Sequence, residues 1–193
     1  DSRRQVHWKS TAKTGRLMVR QYEESRRSRM AVVLGLATAE YGTDAEFELA
    51  VSAASSLAVR AVHDARDLDI VVGAEIPRVV RGRLRAIRHI PTASPRALLD
   101  GFSGVERFAN TMAFADVCRL AAEANERLSI AVIVTGSRVG LAALRKAALA
   151  FPADASVVAV VCDERAHPRT QVVGALTVVT VGTLDELAGL LLR

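Results

Sequence analysis

The sequence predicts an α/β fold: a doubly wound, mostly parallel sheet with helices on both faces, preceded by a short basic helix and an extended arm. Three observations carry that prediction. Short apolar runs such as Ala31 to Leu36, Leu128 to Thr135 and Ser156 to Cys162 are hydrophobic at every position, as strands are when both faces are covered. Between them lie stretches with apolar residues at helical spacing, and strands alternating with helices of this length build parallel sheets. With 193 residues, half of them hydrophobic, the chain suits one domain with a sizeable core.

In chain order, Ser2 caps a short helix over Arg3 to Lys13, and Gly15 stands where a left-handed C-terminal cap belongs. Leu17 to Tyr22 is extended and Glu23 to Arg29 is a charged turn. The arm is therefore residues 1–29 and the α/β domain residues 30–193. The stretch Met30 to Ala39 is the central strand running into a loop of small residues. Thr43 or Asp44 caps a helix in which Phe47, Ala50, Val51, Ala54, Leu57, Ala58, Ala61 and Val62 recur at helical spacing up to about Ala65.

A second strand, Leu68 to Val72, ends at Gly73, and another lies between Arg83 and Ile90, closed by Pro91. Ser94-Pro95 starts a helix that reaches the neighbourhood of Ser103, and Thr111 to Arg127 makes a longer one. Strand Leu128 to Thr135, helix Ser137 to Phe151, and strands Ser156 to Cys162 and Leu176 to Val181 follow. Thr183 to Leu192 closes the chain as a helix, with Thr183 as cap and Glu186 three residues on, a capping box.

The apolar runs are too short to cross a bilayer. The chain opens without an initiator Met in a polar stretch, as a domain excised from a longer polypeptide would. Cys118 and Cys162 lie far apart in segments read as helix and strand, which points to a buried, reduced pair and a cytosolic setting. The net charge of +5 is concentrated: residues 1–30 hold nine basic and three acidic side chains, leaving seventeen basic against eighteen acidic in the rest. A second run, Arg78, Arg81, Arg83, Arg85 and Arg88, has no acid within it. Either stretch could face nucleic acid, acidic protein or lipid headgroups, or be an ordinary solvated surface.

In a doubly wound sheet the reactive loops follow the carboxyl ends of the strands. The first, Gly35 to Gly42, has no carboxylate before Glu40, and Gly35, Ala37 and Ala39 supply no side-chain oxygen, so a hard divalent cation is not expected there. Thr135-Gly136-Ser137-Arg138-Val139-Gly140 lacks the Lys-Ser/Thr of a P-loop and reads as a tight turn with Ser137 as helix cap. Cys162-Asp163-Glu164-Arg165-Ala166-His167 could be a hydrolase nucleophile with its base, although the thiol should point into the core. His7, His63 and His89 are part of no H-E-x-x-H pattern. Eight aromatics, with Trp8, Tyr22 and Tyr41 nearest to positive charge, are too few for a base-stacking platform, so nucleic acid is disfavoured. Trp8 reads either as the anchor of the N-terminal helix or as part of a binding surface. No cofactor and no catalytic group are expected.

The run Val6-His7-Trp8-Lys9-Ser10-Thr11-Ala12-Lys13-Thr14-Gly15-Arg16-Leu17-Met18-Val19-Arg20-Gln21-Tyr22-Glu23, followed at once by a hydrophobic strand, resembles the signature of the bacterial family called domain of unknown function 58. That signature is roughly Arg-x-Ile-x-Trp-Lys-x-Ser/Thr-Ala-Arg/Lys, then Leu-x-Val-Arg-x-Phe/Tyr-Glu. The resemblance implies a von Willebrand factor A-like, Rossmann-like domain over the rest of the chain. It further implies membrane attachment through segments outside this sequence and a MoxR-type AAA+ ATPase as neighbour. Such domains bind a divalent ion through Asp-x-Ser-x-Ser after the first strand and a further Asp after the fourth. The matching positions here are Gly35, Ala37, Ala39 and Gly136, so the resemblance implies a degenerate, vacated ion site. The expected function is a protein-protein interaction module on the cytoplasmic side of the bacterial inner membrane, with Arg3, Arg4, His7, Trp8, Lys9, Lys13, Arg16 and Arg20 as candidate partner contacts. A nucleic-acid module using the basic arm, or a hydrolase using Cys162 and His167, are the alternatives.

Overall fold

A computed structural model describes residues 29–77, 86–125 and 127–191. The expected arm helix, the extended segment after it, and Arg78, Arg81, Arg83 and Arg85 lie outside the described residues. So do all eight candidate partner contacts, from Arg3 to Arg20.

The chain runs β1 (Arg29–Leu34), a 3₁₀ turn (Thr38–Glu40), α1 (Asp44–His63), β2 (Asp67–Gly73) and β3 (Ile87–His89). It continues through α2 (Pro95–Ser103), α3 (Phe114–Glu123), β4 (Leu128–Gly136), α4 (Leu141–Ala148), β5 (Ser156–Cys162), β6 (Arg169–Val173), β7 (Leu176–Val181) and α5 (Leu184–Leu191). The strands form one sheet in the order β3-β2-β1-β4-β5-β7-β6. The five inner strands are parallel, while β3 pairs antiparallel with β2 and β6 antiparallel with β7. This is the expected doubly wound, mostly parallel α/β architecture.

The uniform hydrophobicity of β1 follows from its surroundings, because its residues divide between two cores. Met30, Val32 and Leu34 pack with α1, α2 and Leu187 of α5. Ala31 and Val33 pack with Phe114, Val117 and Cys118 of α3 and Leu144 of α4. A strand with helices on both sides has no polar face to show. Its edges are closed as well, since Leu34 is in register with Val72 of β2 and with Val134 of β4. Strand β1 begins at Arg29, one residue into what the sequence reads as the charged turn, and Arg29 Nε bonds Asp67 Oδ2 at 2.8 Å across the start of β2.

The capping residues hold three helices as expected. Thr43 Oγ1 accepts from Glu46 N at 3.1 Å, and Ser94 Oγ accepts from Ala97 N at 3.2 Å with Pro95 at the first helical position. Thr183 Oγ1 accepts from Glu186 N at 3.3 Å while Glu186 Oε2 accepts from Thr183 N at 3.2 Å, a reciprocal capping box.

Several boundaries differ from the sequence expectation. Helix α3 starts at Phe114 rather than Thr111, because the preceding residues are used elsewhere: Thr111 bridges Glu75, and Phe108 bridges Ala37. Helix α4 starts at Leu141 with Gly140 as its cap, so Ser137 is not the cap, its hydroxyl being bonded to Glu46 Oε1 and Oε2, both at 2.9 Å. Strand β6 has no counterpart in the sequence reading. Four of its five residues are exposed, so it carries little apolar signal, and it turns into β7 at Gly174, whose φ of 64° suits the first place of a two-residue hairpin loop.

Ile133, in the middle of β4, is fully buried, whereas Leu149 at the end of α4 is 86% exposed. Replacing Ile133 with Ala should cost about 2–5 kcal/mol of unfolding free energy in urea melts. Leu149→Ser should stay within about 0.5 kcal/mol of wild type in the same measurement.

Candidate functional site

The order of strands reverses between β1 and β4, so the loops after these two strands mark the place where a ligand or partner would meet the sheet. Gly35 N donates to Val134 O at 3.0 Å, prolonging the pairing one residue beyond β1. The loop is then tied sideways: Thr38 N donates to Phe108 O at 3.0 Å and Phe108 N to Leu36 O at 2.9 Å. Thr38 and Ala39 form an exposed crest, and the chain dips back at Glu40 and Tyr41, which are buried.

Two of the four positions that the resemblance reads as vacated, Gly35 and Gly136, have their side-chain space filled by neighbours. A Cβ placed on Gly35 would lie 1.7 Å from Glu40 Oε2 and 3.2 Å from Phe114 Cε2, so the carboxyl of Glu40 occupies the space in which a side chain at 35 would begin. A Cβ on Gly136 would meet Tyr41 Cδ1 at 2.4 Å and Glu40 O at 2.6 Å. Gly136 faces main chain of the Glu40-Tyr41 pair and needs to be glycine, whereas a side chain at Gly35 would displace the movable end of Glu40. Thr135 Oγ1 donates to Glu40 Oε2 at 3.3 Å, Tyr41 Oη donates to Gly35 O at 2.7 Å, and Arg138 N donates to Glu40 O at 3.1 Å.

Burial dominates the electrostatics here. The Glu40 carboxyl is pushed up to about 7 by loss of solvent, against the opposing effect of hydrogen bonds from Thr135 and the Ala37 backbone. Desolvation also raises Tyr41 well above the usual phenol range, and the negative charge of Glu40 adds to the effect. A second buried carboxylate, Glu46 on the first turn of α1, accepts from Gly42 N at 2.7 Å, from Ser137 N at 3.2 Å and from the Ser137 hydroxyl. Glu46 thus staples the start of α1 to the loop after β4.

The donor set is a poor match for a divalent cation. Glu46 already accepts from three protein donors, Glu40 is biased toward its neutral form, and among the described residues no three His, Cys, Asp or Glu side chains gather as a metal cluster. Beside the crest is a shallow hollow of about 340 Å³ lined by Thr38, Asp44, Phe47, Glu48, Val105, Glu106 and Arg107. Arg107 pairs with Asp44 and lies 5.2 Å from the centre of the Phe47 ring.

The other sequence candidates do not converge on this end of the sheet as a chemical site. Cys162 is fully buried among Val160, Val179 and Val181, and burial pushes its thiol up to about 12, so it offers no thiolate beside the exposed His167. Cys118 is likewise buried and free, as the sequence implies. Asp163 Oδ1 accepts from Arg165 N at 3.0 Å, a local turn contact. His63 is exposed. His89 is better connected than its sequence surroundings indicate: its Nδ1 is 2.8 Å from Asp69 Oδ1, and Asp69 Oδ2 accepts from the buried Asn125 at 2.6 Å. That chain of contacts ties the edge strand β3 to β2 and to the end of α3.

Sequence reasoning overlooked Glu40 and Glu46 as site residues. Thr43-Asp44-Ala45-Glu46 does carry the spacing of a capping box, a readable signal, but the bond from Glu46 to Ser137 joins residues 91 apart.

No protein-family model matches the chain, and no curated protein does. Among solved structures, a von Willebrand factor type A protein from Catenulispora acidiphila is similar in outline, with 12% identity over 72% of this chain and a TM-score of 0.43. The aligned part spans 34% of that protein's length.

Adding Mg²⁺ or Mn²⁺ should leave the thermal midpoint unchanged, since a ligand of the native state would raise it. Removing the Glu46 carboxylate with Glu46→Ala leaves three part-buried donors, Gly42 N, Ser137 N and the Ser137 hydroxyl, without their acceptor and should cost about 1–3 kcal/mol in chemical denaturation. Cys162 should react with iodoacetamide only as fast as the protein unfolds, followed by mass spectrometry of the native and denatured protein.

Proposed function

We propose that this chain is a non-enzymatic protein-protein interaction module that docks a partner through the loops after β1 and β4, with the basic arm as a second contact. The observation that carries the reading is the use made of the polar groups at the switch point. Glu40, Tyr41, Glu46, Thr135 and Ser137 bond to one another or to neighbouring main chain, next to the exposed crest Thr38-Ala39 and the charged side chains Asp44, Glu48, Glu106, Arg107 and Arg138. Glu46 and Ser137, fixed to each other behind an exposed contour, suit recognition of a surface, since a face ordered before docking loses little entropy.

On the resemblance of residues 6–23, the partner is a MoxR-type AAA+ ATPase, and the whole protein is held at the cytoplasmic side of a bacterial inner membrane by segments outside this sequence. Among the described residues no helix is long and apolar enough to cross a membrane. Trp8 and the arginines around it are the first arm residues to mutate, and Arg138 and Glu106 the first on the rim.

A binding titration against that ATPase tests the proposal. Binding in the micromolar range or tighter is expected, weakened at least tenfold by Arg138→Glu or Trp8→Ala; failure of both the domain and the full-length protein to bind would overturn it. The excess of positive charge in residues 1–30 favours a second reading as a nucleic-acid module, which requires salt-sensitive retention of DNA or RNA. Absence of retention at low salt removes that reading.

A further inference from the structure

Among the described residues, no cation meets the Glu40 carboxyl to balance a charge. From β4 the carboxyl meets the Thr135 hydroxyl, from α3 the Phe114 ring, and from its own loop the Ala37 backbone. The titratable groups that feel its charge are the Tyr41 phenol and the Cys118 thiol of α3, both of which burial keeps neutral. Glu46 of α1 acts on Tyr41 with the same sign as Glu40. Among the described residues, the cation in this neighbourhood is Arg107, which pairs with Asp44 and lies over Phe47. An ionised carboxylate in this seat is therefore uncompensated, while a neutral carboxyl fits it.

We propose that Glu40 is a proton-controlled plug: neutral, its carboxyl seats against Gly35 and holds residues 37–41 over the ends of β1 and β4, and on losing its proton to water it leaves that seat and uncovers the main chain of Gly35, Thr135 and Gly136. The geometry shows the closed state. There Oε2 fills the space in which a side chain at 35 would begin, and Tyr41 and the Glu40 carbonyl lie on Gly136. The segment that moves is short: its main chain is held by Thr38 N to Phe108 O, Glu40 N to Ala37 O, Tyr41 N to Thr38 O and Arg138 N to Glu40 O, and its side chains by the Tyr41 hydroxyl on Gly35 O and the Thr135 hydroxyl on Glu40, all of which opening must release. The inference deepens the docking proposal, on which its biological meaning rests, because the crest Thr38-Ala39 rides on the plug.

The direction of the pH effect follows from linkage. The closed seat raises the carboxyl from 4.5 to about 7, so closure is fully favoured below the lower value, weakens as pH rises between the two, and levels off above the upper one.

Amide hydrogen exchange by NMR, corrected for the intrinsic pH dependence, reads the opening without any partner. Protection of the Thr38, Glu40 and Arg138 amides should fall by about tenfold per pH unit from roughly pH 5 to 7 and then level off. The Val132 amide in the middle of β4 should show none of this slope. Glu40→Gln, which keeps the shape and cannot ionise, should give a flat profile, and Gly35→Ala should leave the three amides poorly protected at every pH with Val132 still protected. A flat wild-type profile, an unchanged slope in Glu40→Gln, or the same slope at Val132 would each overturn the plug. If Gly35→Ala does not fold, the comparison of wild type with Glu40→Gln decides alone. Loss of partner binding with the slope intact would sink the docking proposal and leave the plug standing, and a flat profile in a protein that binds its partner would do the reverse.

Discussion

Strand β1 is buried on both faces and paired on both edges, and the rest of the fold is arranged by that constraint. With β2 and β4 alongside and helices above and below, the chain can leave β1 only past its carboxyl end. It does so at Gly35, level with the end of β4, and must turn within a few residues to begin α1 at Asp44. The close approach of two strand ends and a returning loop leaves no room for a side chain at 136 and, at 35, only the room that the Glu40 carboxyl takes. That is why glycine at these two positions, Glu40 and Tyr41 form one packing unit.

The unit has an energetic peculiarity. Polar groups withdrawn from water must be satisfied inside the protein, and buried carboxylates are costly without a cation or several donors. The two carboxyls here answer this differently. Glu46 collects main-chain and hydroxyl donors from Gly42 and Ser137. Glu40 has Thr135 and one backbone donor, and answers by holding its proton to near neutral pH. One carboxyl is therefore a fixed staple between α1 and the loop after β4, and the other is conditional. A contact surface built over a conditional group can respond to its surroundings in a way that one built over a staple cannot.

Much of the fold was legible in the residues. Ser156 to Cys162 and Leu176 to Val181 are strands over the predicted limits, and the caps at Thr43, Ser94 and Thr183 sit where the hydroxyls foretold. These features are local: an unbroken apolar run and a hydroxyl three residues ahead of an amide depend on neighbours in sequence. Strand β6 escaped notice because an exposed edge strand has no buried face to write an alternation into its residues. Ser137 was misread as a cap for the opposite reason. Its local position allowed that role, and a carboxylate 91 residues away claimed the hydroxyl.

By itself, then, the sequence determined the α/β class, the burial of both faces of β1 and the burial of both cysteines, since each follows from the density and spacing of apolar residues. It also showed small residues at positions 35, 37, 39 and 136, from which an empty site was the natural expectation. Only the tertiary structure decided what lies there. A glycine in a sequence reports that room is needed but not what takes the room, and the occupant, the carboxyl of Glu40, is placed by the turn of a loop between β1 and β4. The neutral bias of that carboxyl is likewise a property of its seat, because desolvation is set by the groups packed around it, and residues from α3 and β4 supply them.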